Sequence, residues 1–448
     1  MSPSGSPSSL DDLCGRIRHL DAPRARRLVE AFDRPLVHDG HGFVRDEADR
    51  VVAEAHGRVT LATAARPGNG PDVVACAQTN LHLHRLLRLP LSVAQELAAH
   101  RGHLYLDGLT TITDAVAEVL ARHEGGCLSL DGLRTLSPAA AAALGTHDGA
   151  LSLNGVCALP KEVARGLARH AHPLRLNGLR VLTPEAAAAL EAHRGNLHLH
   201  RLPVVRGPVA EHLALLPGQL HLHEVTSLSE ASAAAFGGRT GHLCLPGLER
   251  LSPSRALVLA RHRGELQIPA VTIDDALAEA FGTHEGSLLI RVPADIPPVR
   301  LEALVRHRGP LQIGGLKHLD LRRARVLAAQ AGPRGVSGLS CLFLGDITSL
   351  SPAVAGILAT HRAGSLALTC LTELSADVAR ELVKHPLLAL DGLERVSDEV
   401  AAVLATHAGV VLSLRGLKQA SPRAIALLKA CPSVDLGWWH HHDAADQF

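Results

Sequence analysis

Aromatic residues make up only 2% of this 448-residue chain, and Tyr105 is its sole tyrosine. A compact globule of this length would draw on large aromatic side chains for its core. Here leucine, alanine and valine must build the interior. An excess of charge of either sign is missing as well, with 45 Lys+Arg against 44 Asp+Glu. That balance speaks against a nucleic-acid surface, which would be basic. The basic residues are nearly all arginine, which reads as codon usage. Eight cysteines (Cys14, Cys76, Cys127, Cys157, Cys244, Cys341, Cys370, Cys431) include no CxxC pair, which excludes a zinc knuckle or thioredoxin-like site. Their low density suits free thiols in a reducing compartment. No stretch reaches 18 apolar residues, so no membrane span is expected. Residues 1–12 are rich in Ser, Pro and Gly and lack a basic and apolar leader, so no secretory signal is expected. Hydrophobic content of 46% rules out a disordered chain. These absences describe a soluble, cytoplasmic protein.

What the chain has is a repeat. Leu104, Leu106, Gly108, Leu109, Ile112 and Thr113 are followed by an Ala/Val-rich stretch to Leu120, then His123. The frame returns at Leu128, Leu130, Gly132, Leu133, Leu136, Ser137, Leu144 and His147, and again from Leu151 and Leu174. Later copies start at 197, 220, 243, 266, 288 and 311, then at 342, 366, 388, 412 and 434 after one longer step. Leu81, Val59 and Leu36 extend it backwards, with a partial unit at Ile17, Leu20 and Leu28. In all there are about 18 repeats of roughly 22–24 residues. Length alone would have suggested about three domains; the frame replaces them with one.

Each unit has a physical reading. Leu-x-Leu has period two, so it is a short strand with both leucines pointing inward. The following Asp107-Gly108, Asp131-Gly132, Asn154-Gly155 or Asn177-Gly178 is turn chemistry. Ser137-Pro138, Thr183-Pro184, Ser252-Pro253, Ser351-Pro352 and Ser421-Pro422 set a capping hydroxyl before a proline that opens a helix. The alanine-rich stretch is a helix of two to three turns. His193-Arg194-Gly195 and its equivalents close it, with glycine suited to a left-handed turn. A strand and so short a helix bury their apolar faces only by stacking on further copies. The stack puts a parallel sheet on one side and a row of helices on the other.

On these residues the chain resembles the leucine-rich-repeat superfamily over nearly all of 13–437. The best-known consensus has Asn in the turn after the strand, where this chain has Leu109, Leu133, Val156, Leu179 and Leu248. It is closer to bacterial, alanine-rich subclasses that lack the Asn ladder. The resemblance implies an α/β solenoid with the sheet on its concave face and short helices on its convex face. Residues 1–12 form a disordered lead-in and 438–448 a tail or cap with Trp438, Trp439 and His440–His442. The frame is irregular at 62–80 and at 292–298, which contains Pro293, Pro297 and Pro298, and an insertion falls at 332–340.

Histidine is the prominent candidate for chemistry. Twelve close the helices: His56, His100, His123, His147, His170, His193, His262, His284, His307, His361, His385 and His407. Recurrence in one frame marks a structural device, bonding the last helical carbonyls and, when protonated, suiting the helix dipole. The remaining histidines cluster differently. Segments 81–86 and 197–202 both read Leu-His-Leu-His-Arg-Leu, and 220–225 reads Leu-His-Leu-His-Glu-Val. With the leucines inside, His198, His200, His221 and His223 face outward, and His242 and Cys244 continue the rows. Imidazoles so spaced can converge on Zn²⁺, Ni²⁺ or Cu²⁺; the competing reading is a solvated polar patch spread by duplication. A second zone is polar: Tyr105, Asp107, Ser129, Asp131, Ser152, Asn154, Arg175 and Asn177. Further on, Leu289, Phe343, Ala367 and Ala389 make the face more apolar, with Gln267 and Gln312 among them. No GxSxG elbow, P-loop, GxGxxG or HExxH is present.

The expectation is a non-enzymatic scaffold that recognises a protein partner through the outward residues of its sheet. No cofactor, nucleic acid or membrane is expected. The alternative is a metal- or pH-responsive binding protein centred on the histidine patch.

Overall fold

The computed structural model describes residues 19–33, 80–268, 273–330, 340–362 and 364–437. The lead-in 1–12, the units from Leu36 and Val59, His56, the irregular stretch 62–79, the insertion 332–339 and the tail 438–448 lie outside the described residues. The chain gathers into two compact units, Met1–Glu224 and Val225–Phe448. No helix among the described residues is long and apolar enough to cross a membrane.

In the first unit a helix at Ala22–Asp33 precedes the parallel strands β1 (Leu81–His82), β2 (Leu104–Tyr105), β3 (Cys127–Ser129), β4 (Ala150–Ser152), β5 (Leu174–Arg175), β6 (Leu197–His198) and β7 (Leu220–His221). Each pairs with the next one in sequence, and the first leucines align: Leu81 with Leu104, Leu104 with Leu128, Leu151 with Leu174. One helix lies between each pair of strands, such as Pro138–Leu144 and Pro184–Leu190. The second unit repeats the plan with β8 (Leu243–Cys244), β9 (Leu266–Ile268), β10 (Leu288–Arg291), β11 (Leu311–Gly314), β12 (Ser340–Phe343), β13 (Gly364–Ala367), β14 (Leu387–Ala389), β15 (Val411–Ser413) and β16 (Val434–Asp435). Both units are α/β leucine-rich-repeat solenoids, with leucine filling each layer. Leu104, Leu106 and Leu109 are wholly buried, each worth about 2 kcal/mol by burial. Phe236 and Phe281 are the aromatic exceptions inside the second unit.

Capping follows the sequence. The Thr113, Ser137, Thr183, Ser351 and Ser421 hydroxyls accept the N–H three residues on. Ser252 does not, because its hydroxyl is engaged with Ser254 Oγ at 3.0 Å. At 292–298 the prolines leave the architecture intact. Ile296 is buried where other units place leucine, its N–H donating to Pro293 O, and a helix runs from Pro298 to Leu304.

The glycines depart from expectation. Gly195, Gly264 and Gly309 do not adopt the left-handed conformation; positive φ occurs only at Gly315 and Gly437 among the described residues. The cause is close approach between repeats. A Cβ on Gly195 would lie 2.1 Å from His172 O, and one on Gly132 would lie 2.2 Å from Asp107 O. Both contacts are with backbone of the preceding repeat, which cannot swing away.

The helix-closing histidines are stacked side chains inside each unit. His100, His123, His147, His170 and His193 in the first unit are buried, with successive ring centroids 5.7–6.3 Å apart. His262, His284 and His307 in the second unit stack at 5.9 and 5.4 Å, and His361 and His385 at 5.7 Å. Some ring nitrogens serve backbone: His307 Nε2 donates to Pro310 O at 3.2 Å and His407 Nε2 to His385 O at 3.0 Å, while His262 Nδ1 accepts from Gly264 N at 3.2 Å. Burial, ahead of every other cause, pushes His170, His262, His361 and His385 down to about 4 and His284 to about 3. These five rings are therefore neutral at pH 7, and attraction of imidazolium to the helix dipole plays no part at them. Leu216, Arg239 and Gln330 occupy the same place in their units, all buried.

Two expectations follow. Gly132→Ala should cost on the order of 2–3 kcal/mol in denaturant unfolding, whereas Gly238→Ala, whose Cβ would meet only Ala235 O at 3.5 Å, should cost little. Acid should also weaken the fold. Unfolded imidazoles titrate near 6.5, so below that pH the unfolded chain takes up protons that the buried rings refuse down to about pH 4. Tm measured across pH 7.5 to 4.5 should hold at the upper end and decline below about 6.5. His170→Leu, the residue type that Leu216 supplies at this place, should flatten the decline.

Candidate functional site

Alternation along the strands leaves two outward positions per repeat on the sheet. Register locks the first into one column in the first unit: His82, Tyr105, Ser129, Ser152, Arg175, His198 and His221. The second, two residues on, runs His84, Asp107, Asp131, Asn154, Asn177, His200 and His223. All eight residues of the polar zone thus share one face of β2–β5 and the turns that follow.

The second column is tied together by hydrogen bonds. Asp107 Oδ1 accepts the Asp131 N–H at 3.1 Å, and Asp131 Oδ1 accepts that of Asn154 at 2.8 Å. Asn154 Oδ1 accepts Asn177 N–H at 3.0 Å, and Asn177 Oδ1 accepts His200 N–H at 3.1 Å. The consensus Asn position does hold leucine or valine, but this other ladder runs along the start of the turn. In the second unit Asp391 Oδ1 accepts Arg415 N–H at 3.0 Å in the same way. The carboxylates also hold the serines: Ser129 donates to Asp107 at 2.5 Å and Ser152 to Asp131 at 2.7 Å.

These bonds separate the candidates. Asp107, Asp131, Asn154 and Asn177 spend acceptors on the chain itself, and Ser129 and Ser152 are only 3% and 4% exposed. Burial pushes the Cys127 thiol up, and the nearby Arg175 guanidinium partly offsets it. Tyr105 and Arg175 are the large half-buried side chains that flank the serines.

The histidines make a second cluster. Between the β6 and β7 repeats, His198 stacks on His221 with centroids 4.3 Å apart and planes within 3°, and His200 on His223 at 3.7 Å and 7°. Within the β6 repeat, His198 Nδ1 and His200 Nε2 are 3.4 Å apart. Burial first, then the charges of His221 and Arg175, pushes His198 down to about 3; burial likewise lowers His200 and His223. His242 and Cys244, the other two residues of the candidate metal set, sit in the second unit with neighbours of their own. Cys244 Sγ donates to Gln267 Oε1 at 3.2 Å, and His242 Nε2 is 3.9 Å from Glu265.

The candidate set omitted His82 and His84. His82 stacks on Tyr105 at 4.1 Å and 5°, its Nδ1 is 3.2 Å from His84 Nε2, and His84 Nδ1 is 3.2 Å from Asp107. The shared Leu-His-Leu-His-Arg-Leu segment was the signal for them. In the second unit the outward column is Gln267, Leu289, Gln312, Phe343, Ala367 and Ala389. On the helix side of the first unit, a groove of about 800 Å³ is lined by Lys161, Arg165, Glu185, Glu191 and His212. Its polar groups pair locally, as in His212 Nδ1 to Glu191 at 2.5 Å.

No protein-family model matches the sequence, and no curated protein matches it. Among solved structures, a leucine-rich-repeat protein of Leptospira interrogans is 17% identical, over 77% of this chain and 98% of that one, with a TM-score of 0.36. A chain of the Toll–Spatzle complex of Drosophila is 15% identical over 73% of this chain and 41% of its own, with a TM-score of 0.37. An internalin of Listeria monocytogenes is 15% identical over 78% and 89%, with a TM-score of 0.30. The register-locked Leu-x-Leu strands, each followed by a capped helix, carry the assignment by themselves: this chain has the leucine-rich-repeat fold.

Proposed function

We propose that this chain is a protein-binding scaffold that docks its partner on the outward side chains of the sheet and performs no chemistry of its own. The supporting observation is a contrast within the chain. Buried positions repeat with little change, whereas the outward column passes through His82, Tyr105, Ser129, Ser152, Arg175 and His198. Core packing does not dictate those residues, so recognition can be written there. Tyrosine and arginine are the side-chain types that most often anchor interfaces, and Tyr105 and Arg175 flank a floor of buried serines. Those serines donate to carboxylates, an arrangement that holds side chains in place and does not raise a nucleophile.

Affinity capture with paired variants tests the reading. Tyr105→Ala with Arg175→Glu should weaken partner retention by about tenfold or more, with unfolding curves unchanged. Arg165→Glu, on the helix side, should retain the partner fully. The opposite order of effects would place the contact surface on the helices and overturn the proposal.

A further inference from the structure

We infer that His198, His200, His221 and His223 form a binding site for a borderline transition-metal dication, with Zn²⁺ the reference case. The inference is independent of the scaffold reading, since it needs only the sheet of the first unit. Two ligands held 2.0–2.1 Å from one tetrahedral ion stand about 3.3–3.4 Å apart. His198 Nδ1 and His200 Nε2 stand 3.4 Å apart, at that ligand–ligand spacing, with their rings inclined at 69°. An ion there replaces the hydrogen linking the two nitrogens, which shifts to the outer nitrogen of its own ring.

Further ligands are one strand away. His221 and His223 hold the same two positions in the β7 repeat, with rings inclined at 67°. Parallel stacked rings do not aim their lone pairs at a common ion, so a ring of β7 must turn about its side-chain bonds to join. The His221 and His223 rings lie directly against the His198 and His200 rings, with centroids 4.3 and 3.7 Å away. His221 Nε2 lies 3.4 Å from Gln219 Oε1, an amide contact that orients the ring.

The backbone beneath is fixed. Leu199 N–H donates to His221 O at 2.9 Å, and the Asn177 side chain holds His200 N–H. Arg175, in register with His198, opposes protonation of His198 and His200. Neutral imidazole is the form that ligates. A positive neighbour also favours an anionic group, such as a carboxylate or hydroxide, at any open position of the ion. The four donors are nitrogen, which selects zinc, nickel or copper over magnesium or calcium.

The test uses the full chain carrying His440→Ala, His441→Ala and His442→Ala, because the C-terminal histidine run is a competing binder. Zinc titration by calorimetry at neutral pH should show one equivalent per chain at micromolar or tighter affinity. His198→Ala with His200→Ala should weaken it by about tenfold or more, and His82→Ala with His84→Ala should leave it unchanged. Co²⁺ bound to the unmutated patch should give the visible bands of a nitrogen-ligated tetrahedral ion, a readout that a folding defect cannot imitate. Zinc should also raise the Tm of the parent and not of the His198/His200 variant. Failure to bind zinc at micromolar concentration overturns the inference. So does zinc binding that survives loss of His198 and His200, or that disappears with His82 and His84.

Discussion

The turn backbone of each repeat rests directly on the carbonyls of the repeat before it, and most of the molecule is arranged around that contact. A sheet of parallel strands at about 4.8 Å spacing leaves no room for a Cβ at Gly108 or Gly155, where the nearest oxygens would lie 2.3 and 2.1 Å away. Helices packed at the same repeat must be narrow, hence Pro138–Leu144 with five alanines between its ends. The layer enclosed between sheet and helices is one leucine deep, and aromatic side chains are confined to places such as Phe236 and Phe281.

A core so narrow places polar backbone near its edges, and neighbouring repeats satisfy it for each other. On the sheet side the Asp/Asn side chains reach forward to the next turn. On the helix side the histidine rings stack, and His307 and His407 also bond backbone carbonyls. Both ladders are nearest-neighbour devices, so their contribution accumulates repeat by repeat. Arg239 shows what a break involves: a guanidinium takes the imidazole's place, and burial holds it down to about 10.

Much of this is legible in the sequence, for physical reasons. Period two in Leu104-x-Leu106 fixes which side chains face in, and constant repeat length fixes the register that aligns Arg175 with His198. Caps are local, so Ser137 and Thr183 announce themselves; Ser252 is missed because its competitor, Ser254, is two residues away. What the sequence hides is contact between repeats. The spacing of His147 and His170 shows recurrence but not burial, so their neutrality does not show. Asp131 reads as a turn residue, and only the distance to Asn154 reveals its second task. The pairing of His82 with Tyr105 depends on ring orientation, on which a strand pattern is silent.

That pairing gives the molecule a spectroscopic address. Tyr105 is the sole tyrosine, and the two tryptophans, Trp438 and Trp439, are adjacent in sequence near the C-terminus. Tyrosine absorption and emission therefore originate at one point on the sheet, against the face of an imidazole 4.1 Å away. Protonating or displacing that imidazole changes the polarity around the phenol, and a bound molecule covering β1 and β2 does the same. The scarcity of aromatics leaves an optical label on the sheet face, readable in the unaltered chain.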